Sequence, residues 1–292
     1  MPVKSRWDAE CLNCGTGLHG AFCSSCGQRA IAPYPTVREM VGDTWAELSG
    51  YDGRFARTFI LLLRRPGALT LEFLAGRRVR FIAPLRLYLV ASLVYFLLAA
   101  AIPNVQQPRT AKLPGSKVTI DLTDPDRGGL DALTPEQQKE ILGNIERAPS
   151  LLRPILRAIL TKPAEFRRGF LEIMARVLFV LVPVFAAIVA LFYRRRPFSQ
   201  HVVFALHLHA TIFLSLTAAQ LGHLSGRQII VDILGALATV WIAAYALRAF
   251  RRVYQEGWPW IVAKGFGIAC VYLAAGIVGL VIGVAWAALS AA

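Results

Sequence analysis

Five long apolar runs constrain this chain more than any other feature. A helix needs about 20 residues to cross the hydrocarbon of a bilayer. A backbone in lipid must also satisfy its own hydrogen bonds, which a helix does internally. The sequence predicts spanning helices at roughly 83–103, 172–193, 201–221, 228–247 and 265–289. Composition agrees. The 292 residues are 55% hydrophobic and 17% charged, against about 45–50% and about 25% in soluble domains. Disorder, collagen and a small disulfide scaffold are thereby excluded. Met1 to Glu10 hold no apolar core, so no signal peptide is expected there.

Four of the runs carry polar residues. Arg86 stands near the start of the first, Glu172 and Arg176 in the second, His201, His207 and His209 in the third, and Asp232 in the fourth. Asp232, level with Gln220 and Thr217 near the outer end, is expected to pair with Arg227 or His223 or to snorkel to the interface. The fifth run has no charge but contains Gly279-Leu-Val-Ile-Gly283, a G-x-x-x-G that lets helix backbones approach. A single long connection, 104–171, opens with Pro, Gly and Asp and reads as loop with a short strand at Lys117–Leu122. Thr134-Pro135-Glu136-Gln137 then starts a helix: Thr134 caps, Pro135 suits the first position and Gln137 completes a capping box. That helix is predicted to run to about Arg147, and a second, near Leu151–Leu160, to lie on the membrane surface.

Net charge is +14, from 32 Lys+Arg against 18 Asp+Glu. Basic short loops mark the cytoplasmic side. Arg194–Arg196 follow the second run, and Arg248, Arg251, Arg252 and Lys264 follow the fourth. Ahead of the first, eight arginines from Arg54 to Arg86 face one acid, Glu72. All three regions share one side if the N-terminus is cytoplasmic and the C-terminus outside. The 104–171 connection is then extracytoplasmic, and its eleven Lys/Arg matter less because long loops obey the rule weakly. Residues 31–82 read as a basic amphipathic collar at the membrane surface. Its Arg64, Arg65, Arg77, Arg78 and Arg80 are expected on anionic lipid headgroups, and Pro66-Gly67 is expected to split it into two helices.

Residues 1–30 read as a small head. Cys11-Leu-Asn-Cys14-Gly15 and Cys23-Ser-Ser-Cys26-Gly27 are paired C-x-x-C turns, eight residues apart. Each aims two thiolates at one point. Two such turns face to face give a tetrahedral four-sulfur site, which zinc prefers. Cys11, Cys14, Cys23 and Cys26 are therefore the predicted zinc ligands of a minimal ribbon. A redox C-x-x-C or an iron site are the alternatives, and a reducing compartment argues against disulfides. Four thiolates leave no open coordination position, so catalysis at the metal is not expected. His19 reads as a loop residue and Cys270 as packing. The segment between the turns has no basic residue. The head is therefore expected to contact protein rather than nucleic acid.

Taken together, several motifs carry a likeness. They are Cys11-x-Asn13-Cys14-Gly15-Thr16, Phe22-Cys23-x-x-Cys26-Gly27-Gln28, Arg64-Arg65-Pro66-Gly67, and Glu72-Phe73-Leu74-Ala75-Gly76-Arg77-Arg78. Pro84-x-Arg86-Leu87-Tyr88-Leu89, Tyr193-Arg194-Arg195-Arg196, His201 through His209 and Arg251-Arg252-Val253-Tyr254 continue the series. With these the chain resembles an uncharacterised bacterial domain-of-unknown-function family of zinc-ribbon, multi-pass inner-membrane proteins. The likeness spans nearly the whole chain, apart from the acidic first half of the long connection. It implies about five spans with a cytosolic ribbon and brings no activity with it.

Counting about 1.5 Å per residue from His201 puts His207 about 9 Å and His209 about 12 Å deep. Tyr88 and Tyr245 fall at similar depth. Tyr88, His207, His209 and Tyr245 thus form a candidate intramembrane polar site. The two histidines are about 200° apart around the helix, so they cannot share one ion. His207 is expected inward, with the tyrosine hydroxyls on its ring nitrogens. Walker, dinucleotide, G-x-S-x-G and H-E-x-x-H signatures are absent from the sequence. The resulting expectation is an all-α integral membrane protein of the bacterial inner membrane. It would have a cytosolic zinc ribbon (1–30), a basic interfacial helical collar (31–82) and a five-span domain (83–292). The function expected is a non-enzymatic adaptor or regulatory subunit with the ribbon as docking module. The alternative is a small transporter or lipid-handling protein using the His/Tyr layer.

Overall fold

The structure, a computed structural model, describes residues 10–30, 54–102, 110–112, 119–121, 134–150 and 152–291. The collar stretch 31–53 and most of the loop 103–133 lie outside the described residues. The chain divides into two compact units.

The first unit joins Met1–Asn104 to Val182–Val271. After the cysteine head come α1 (Arg54–Arg64) and α2 (Ala68–Leu74), then α3 (Pro84–Ala101). Pro84 opens α3, where its missing N–H and fixed φ cost nothing. The unit also holds the C-terminal end of α6 (Pro163–Phe192), α7 (Phe198–Gln220), α8 (Gln228–Tyr254) and the first part of α9 (Trp258–Ala291). A short 3₁₀ turn, Leu221–Ser225, links α7 to α8.

α7 is the core of this unit. Val203, Phe204, Ala205 and Ala210 are essentially inaccessible, and α3, α8 and the collar helices pack around them. The collar is woven into this bundle. Thr58, Leu62, Leu69 and Thr70 are almost completely buried. Apolar positions at helical spacing put Leu62 of α1 and Leu69, Phe73 and Leu74 of α2 against protein, while Ile60 and Leu63 of α1 stay exposed. Pro66 and Gly67 separate the two helices. Gly67 has φ 76°, and a Cβ there would lie 2.9 Å from the Ala249 carbonyl oxygen. The collar turn therefore meets the backbone of α8 at a position that only glycine fills without strain.

The second unit joins Val105–Leu181 to Tyr272–Ala292. The strand expected at Lys117–Leu122 is β2 (Thr119–Asp121), antiparallel to β1 (Thr110–Lys112) with Ala111 opposite Ile120. α4 (Pro135–Arg147) begins with the full capping box: Thr134 Oγ1 accepts from the Gln137 N–H at 3.4 Å, and Gln137 Oε1 accepts from the Thr134 N–H at 3.0 Å. α5 (Arg153–Thr161) follows, and Arg157 donates to Glu146 of α4 at 2.6 Å. Ala158 packs on Ala288 and Ala291 of α9. The G-x-x-x-G faces α6. A Cβ on Gly279 would meet Val177 Cγ1 at 2.7 Å, and one on Gly283 would meet the Met174 methyl at 3.2 Å.

Four helices are long and apolar enough to cross a membrane: Arg168–Phe192, Phe198–Ser225, Gln228–Tyr254 and Trp258–Ala291. They give the protein a membrane location. The first expected span is a shorter apolar helix, Pro84–Ala99 within α3. Its expected end at residue 103 gives way to extended backbone at Ile102. The other helices overrun their apolar runs because amphipathic residues continue the backbone beyond the greasy segment.

Gly67→Ala adds a methyl against the α8 backbone at a left-handed position, and such changes cost about 1–3 kcal/mol. We expect a lowered thermal unfolding midpoint for the detergent-solubilised protein. Gly143→Ala, which meets open space in α4, serves as the neutral comparison.

Candidate metal centre

The head is built from two near-identical turns. In the first, the Gly15 N–H donates to Cys11 O at 2.8 Å and the Cys11 N–H donates to Thr16 O at 2.8 Å. In the second, Gly27 donates to Cys23 O at 2.9 Å and Cys23 donates to Gln28 O at 2.8 Å. Isolated bridges Glu10↔Gly17 and Phe22↔Arg29 close each turn. Leu18 is buried with Cys11 and Cys23, against partly buried Cys26 and Ala30, as a miniature core.

The turns aim four sulfurs at one point. The Sγ atoms of Cys11, Cys14, Cys23 and Cys26 all lie within 4.8 Å of one another. Cys11 and Cys26 are 3.6 Å apart, and Cys14 and Cys23 3.5 Å. A zinc–sulfur bond of about 2.3 Å implies a tetrahedron edge of about 3.8 Å, so the cluster has the size of a four-thiolate metal site. Its electrostatics are divided. Contact with the Thr16 hydroxyl, then with the Thr16 backbone, lowers the Cys14 thiol to about 6. Burial raises Cys11 to about 11. These four residues could hold a metal ion.

The head is docked on its own chain through a residue that lies beyond the cysteines. Gln28 is 5% exposed. Its Nε2 donates to Gly76 O at 2.6 Å, and its Oε1 accepts from the Arg78 N–H at 3.1 Å and the Val79 N–H at 3.4 Å. The carboxamide therefore pairs with the loop after α2 as a neighbouring strand would. Arg80 donates to Asn13 O at 3.0 Å. Gly76 has φ 84°, and a Cβ there would lie 2.5 Å from Leu12 Cδ1. Leu12 thus closes over the same loop. The spacing of the cysteines does not point to this role for Gln28, which follows Cys26-Gly27 directly.

The collar arginines have individual settings. Arg77 forms a bidentate pair with Glu72, and its guanidinium holds that carboxyl below the usual carboxylate range. Arg78 lies over the Phe73 ring at 5.1 Å. Arg80 binds the head. Arg64 and Arg65, at the end of α1, are exposed.

The intramembrane candidates are all buried, but each meets a different partner. His207 Nδ1 lies 2.9 Å from Thr70 Oγ1, and its ring sits edge-on to Phe73. Its Nε2 is buried with no hydrogen-bond partner among the described residues, so neither tyrosine hydroxyl serves it. The Tyr245 hydroxyl donates to Leu62 O at 2.9 Å. Tyr88 packs on Phe213 at 5.9 Å. His209 Nδ1 lies 2.8 Å from Ala205 O of its own helix and its ring faces Phe185. His201, from which depth was counted, pairs its Nδ1 with the Tyr254 hydroxyl at 2.8 Å. At the other end of the fourth run, Asp232 is exposed and accepts from Gln228 at 2.8 Å.

A family model described as "Protein of unknown function (DUF3667)" matches residues 52–96. That stretch covers the collar from residue 52 onward and most of α3, including the loop that receives Gln28. No curated protein and no solved structure matches the chain.

Gln28→Ala leaves one carbonyl and two N–H groups of that loop without their partner, a loss of about 1–3 kcal/mol for a buried group. The loop carries Arg77, Arg78 and Arg80, so trypsin reports its opening. We expect cleavage there to quicken by about tenfold or more, following the open population, with α7 and α8 still intact.

Proposed function

We propose that this chain is a bacterial inner-membrane protein that crosses the bilayer five times, with α3 as the first crossing, an N-terminus in the cytoplasm and a C-terminus outside. The 18-residue α3 is about 27 Å long, close to the hydrocarbon thickness of about 30 Å. Cys11, Cys14, Cys23 and Cys26 hold one zinc ion, which folds the head and performs no chemistry, because four thiolates fill the coordination shell. The protein works as a non-enzymatic adaptor or regulatory subunit. The exposed collar arginines, Arg64 and Arg65 first, add contact with anionic lipid at the cytoplasmic surface.

One observation carries this reading. The head is fixed to its own collar by one side, through Gln28, Leu12 and Asn13, while Phe22 on the second turn is 62% exposed. A ribbon held rigidly by one face with an aromatic residue outward is suited to seat a protein partner. The second reading, transport or lipid handling through the histidine layer, draws on the buried, unpartnered Nε2 of His207. Against it stands the use of Thr70, Leu62 O and Ala205 O as partners. The first two attach the collar to α7 and α8, and the third lies within α7.

The test is elemental analysis with site-specific photo-crosslinking at position 22, in cells and in the full chain. We expect one zinc per chain and a single cross-linked protein that disappears in Cys14→Ser and persists in His207→Asn. Less than about half an ion per chain after metal-replete expression contradicts the zinc assignment. A cross-link indifferent to Cys14→Ser contradicts the docking role. A deletion phenotype abolished by His207→Asn with the cross-link intact supports the second reading.

A further inference from the structure

Outside the metal centre, one cleft combines an apolar interior with a single cationic lip. It has a volume of about 680 Å³ and lies between α7 and α8 beneath the end of α1. Leu214, Leu234, Leu237 and Trp241 form its walls, Leu63 its roof, and Arg64 completes the lining. The space exists because α7 and α8 present alanines there, Ala218 and Ala238 among them.

The cleft has a direction. Tyr245 holds the α1 end by its bond to Leu62 O, and Trp241 sits one turn from Tyr245 with ring centroids 6.2 Å apart. Arg64 therefore stands at the Trp241 end. From there to Leu234 the cleft follows α8 for about 10 Å, away from Arg248, Arg251 and Arg252. Both walls belong to helices apolar enough to cross a membrane.

The charge at the lip is also one-sided. Among the described residues no carboxylate pairs with Arg64 or Arg65. Arg252 reaches the same turn, donating to Pro66 O at 2.7 Å. A greasy slot parallel to the spans, with guanidinium at its surface end, matches a phospholipid: an acyl chain in the slot and a phosphate on Arg64. The excess of positive charge favours a lipid of net negative charge over a zwitterionic one.

We propose that this cleft seats one anionic phospholipid, with its acyl chain between Leu214 and Leu237 and its phosphate on Arg64. This deepens the lipid contact proposed above, replacing a diffuse attraction with one defined seat.

Trp241 lines the seat, so quenching reads occupancy. The full chain is reconstituted in phosphatidylcholine nanodiscs containing phosphatidylglycerol with brominated acyl chains, or the reverse pairing. Trp241→Phe supplies the background from the other tryptophans. Half-maximal quenching of the Trp241 signal is expected at about fivefold lower mole fraction of brominated phosphatidylglycerol than of brominated phosphatidylcholine. Arg64→Gln, at an exposed position, should erase the preference. Ala238→Phe should fill the slot and abolish the quenching while helicity is retained. Equal quenching by the two lipids in the unaltered protein overturns the seat. A preference that survives Arg64→Gln overturns the seat and leaves the diffuse contact standing.

Discussion

The carboxamide of Gln28 is the interaction on which the seating of the four-cysteine head against the collar depends. A head of about 20 residues has too little apolar surface to position itself by burial. Its orientation must come from a few directed bonds, and Gln28 supplies three of them to the loop at Gly76, Arg78 and Val79. The loop cannot move alone. On one side it continues α2, whose Thr70 meets His207. On the other, the Ile82 N–H donates to the buried Thr58 hydroxyl of α1 at 3.1 Å. The four-cysteine head, collar and α7 are thus joined by consecutive buried polar contacts.

The collar shows how one amphipathic pattern serves two environments. Basic residues alternating with large apolar ones also describe a helix that lies on lipid. Here much of the apolar surface is taken by protein: Leu62 and Leu69 are buried and Gly67 abuts α8, while Ile60 and Leu63 stay exposed. The arginines divide accordingly, into an internal pair at Arg77, a head contact at Arg80 and exposed charges at Arg64 and Arg65. A similar division holds where α8 ends. Tyr193 and Tyr254 stack at 4.0 Å, Tyr254 bonds His201, and Lys264 lies over Tyr193 while pairing with Glu256.

Local rules made parts of this fold legible in the sequence. The Thr134 capping box and the two C-x-x-C turns depend on spacings of three residues, and their geometry follows from those spacings. The long apolar helices were legible because lipid allows few alternatives. What was not legible needed contacts between distant residues. Depth counting put Tyr88 and Tyr245 level with His207, but a shared depth does not fix which side chains meet. Thr70 reaches His207 only because the collar folds into the bundle, and nothing in the local pattern of α2 separates a protein-facing from a lipid-facing stripe. Gln28 was hidden for the same reason, since its partners lie about fifty residues away.

The central claim is that the four-cysteine head and the collar loop form one mechanical unit. Hydrogen exchange of the full chain in detergent, after metal-replete expression and again after treatment with a chelator, tests it directly. The account predicts that chelation accelerates exchange of the Arg78 and Val79 amides together with those of Cys11 and Cys23, while the amides of α7 stay protected. Acceleration confined to the head, with Arg78 and Val79 unchanged, would contradict it.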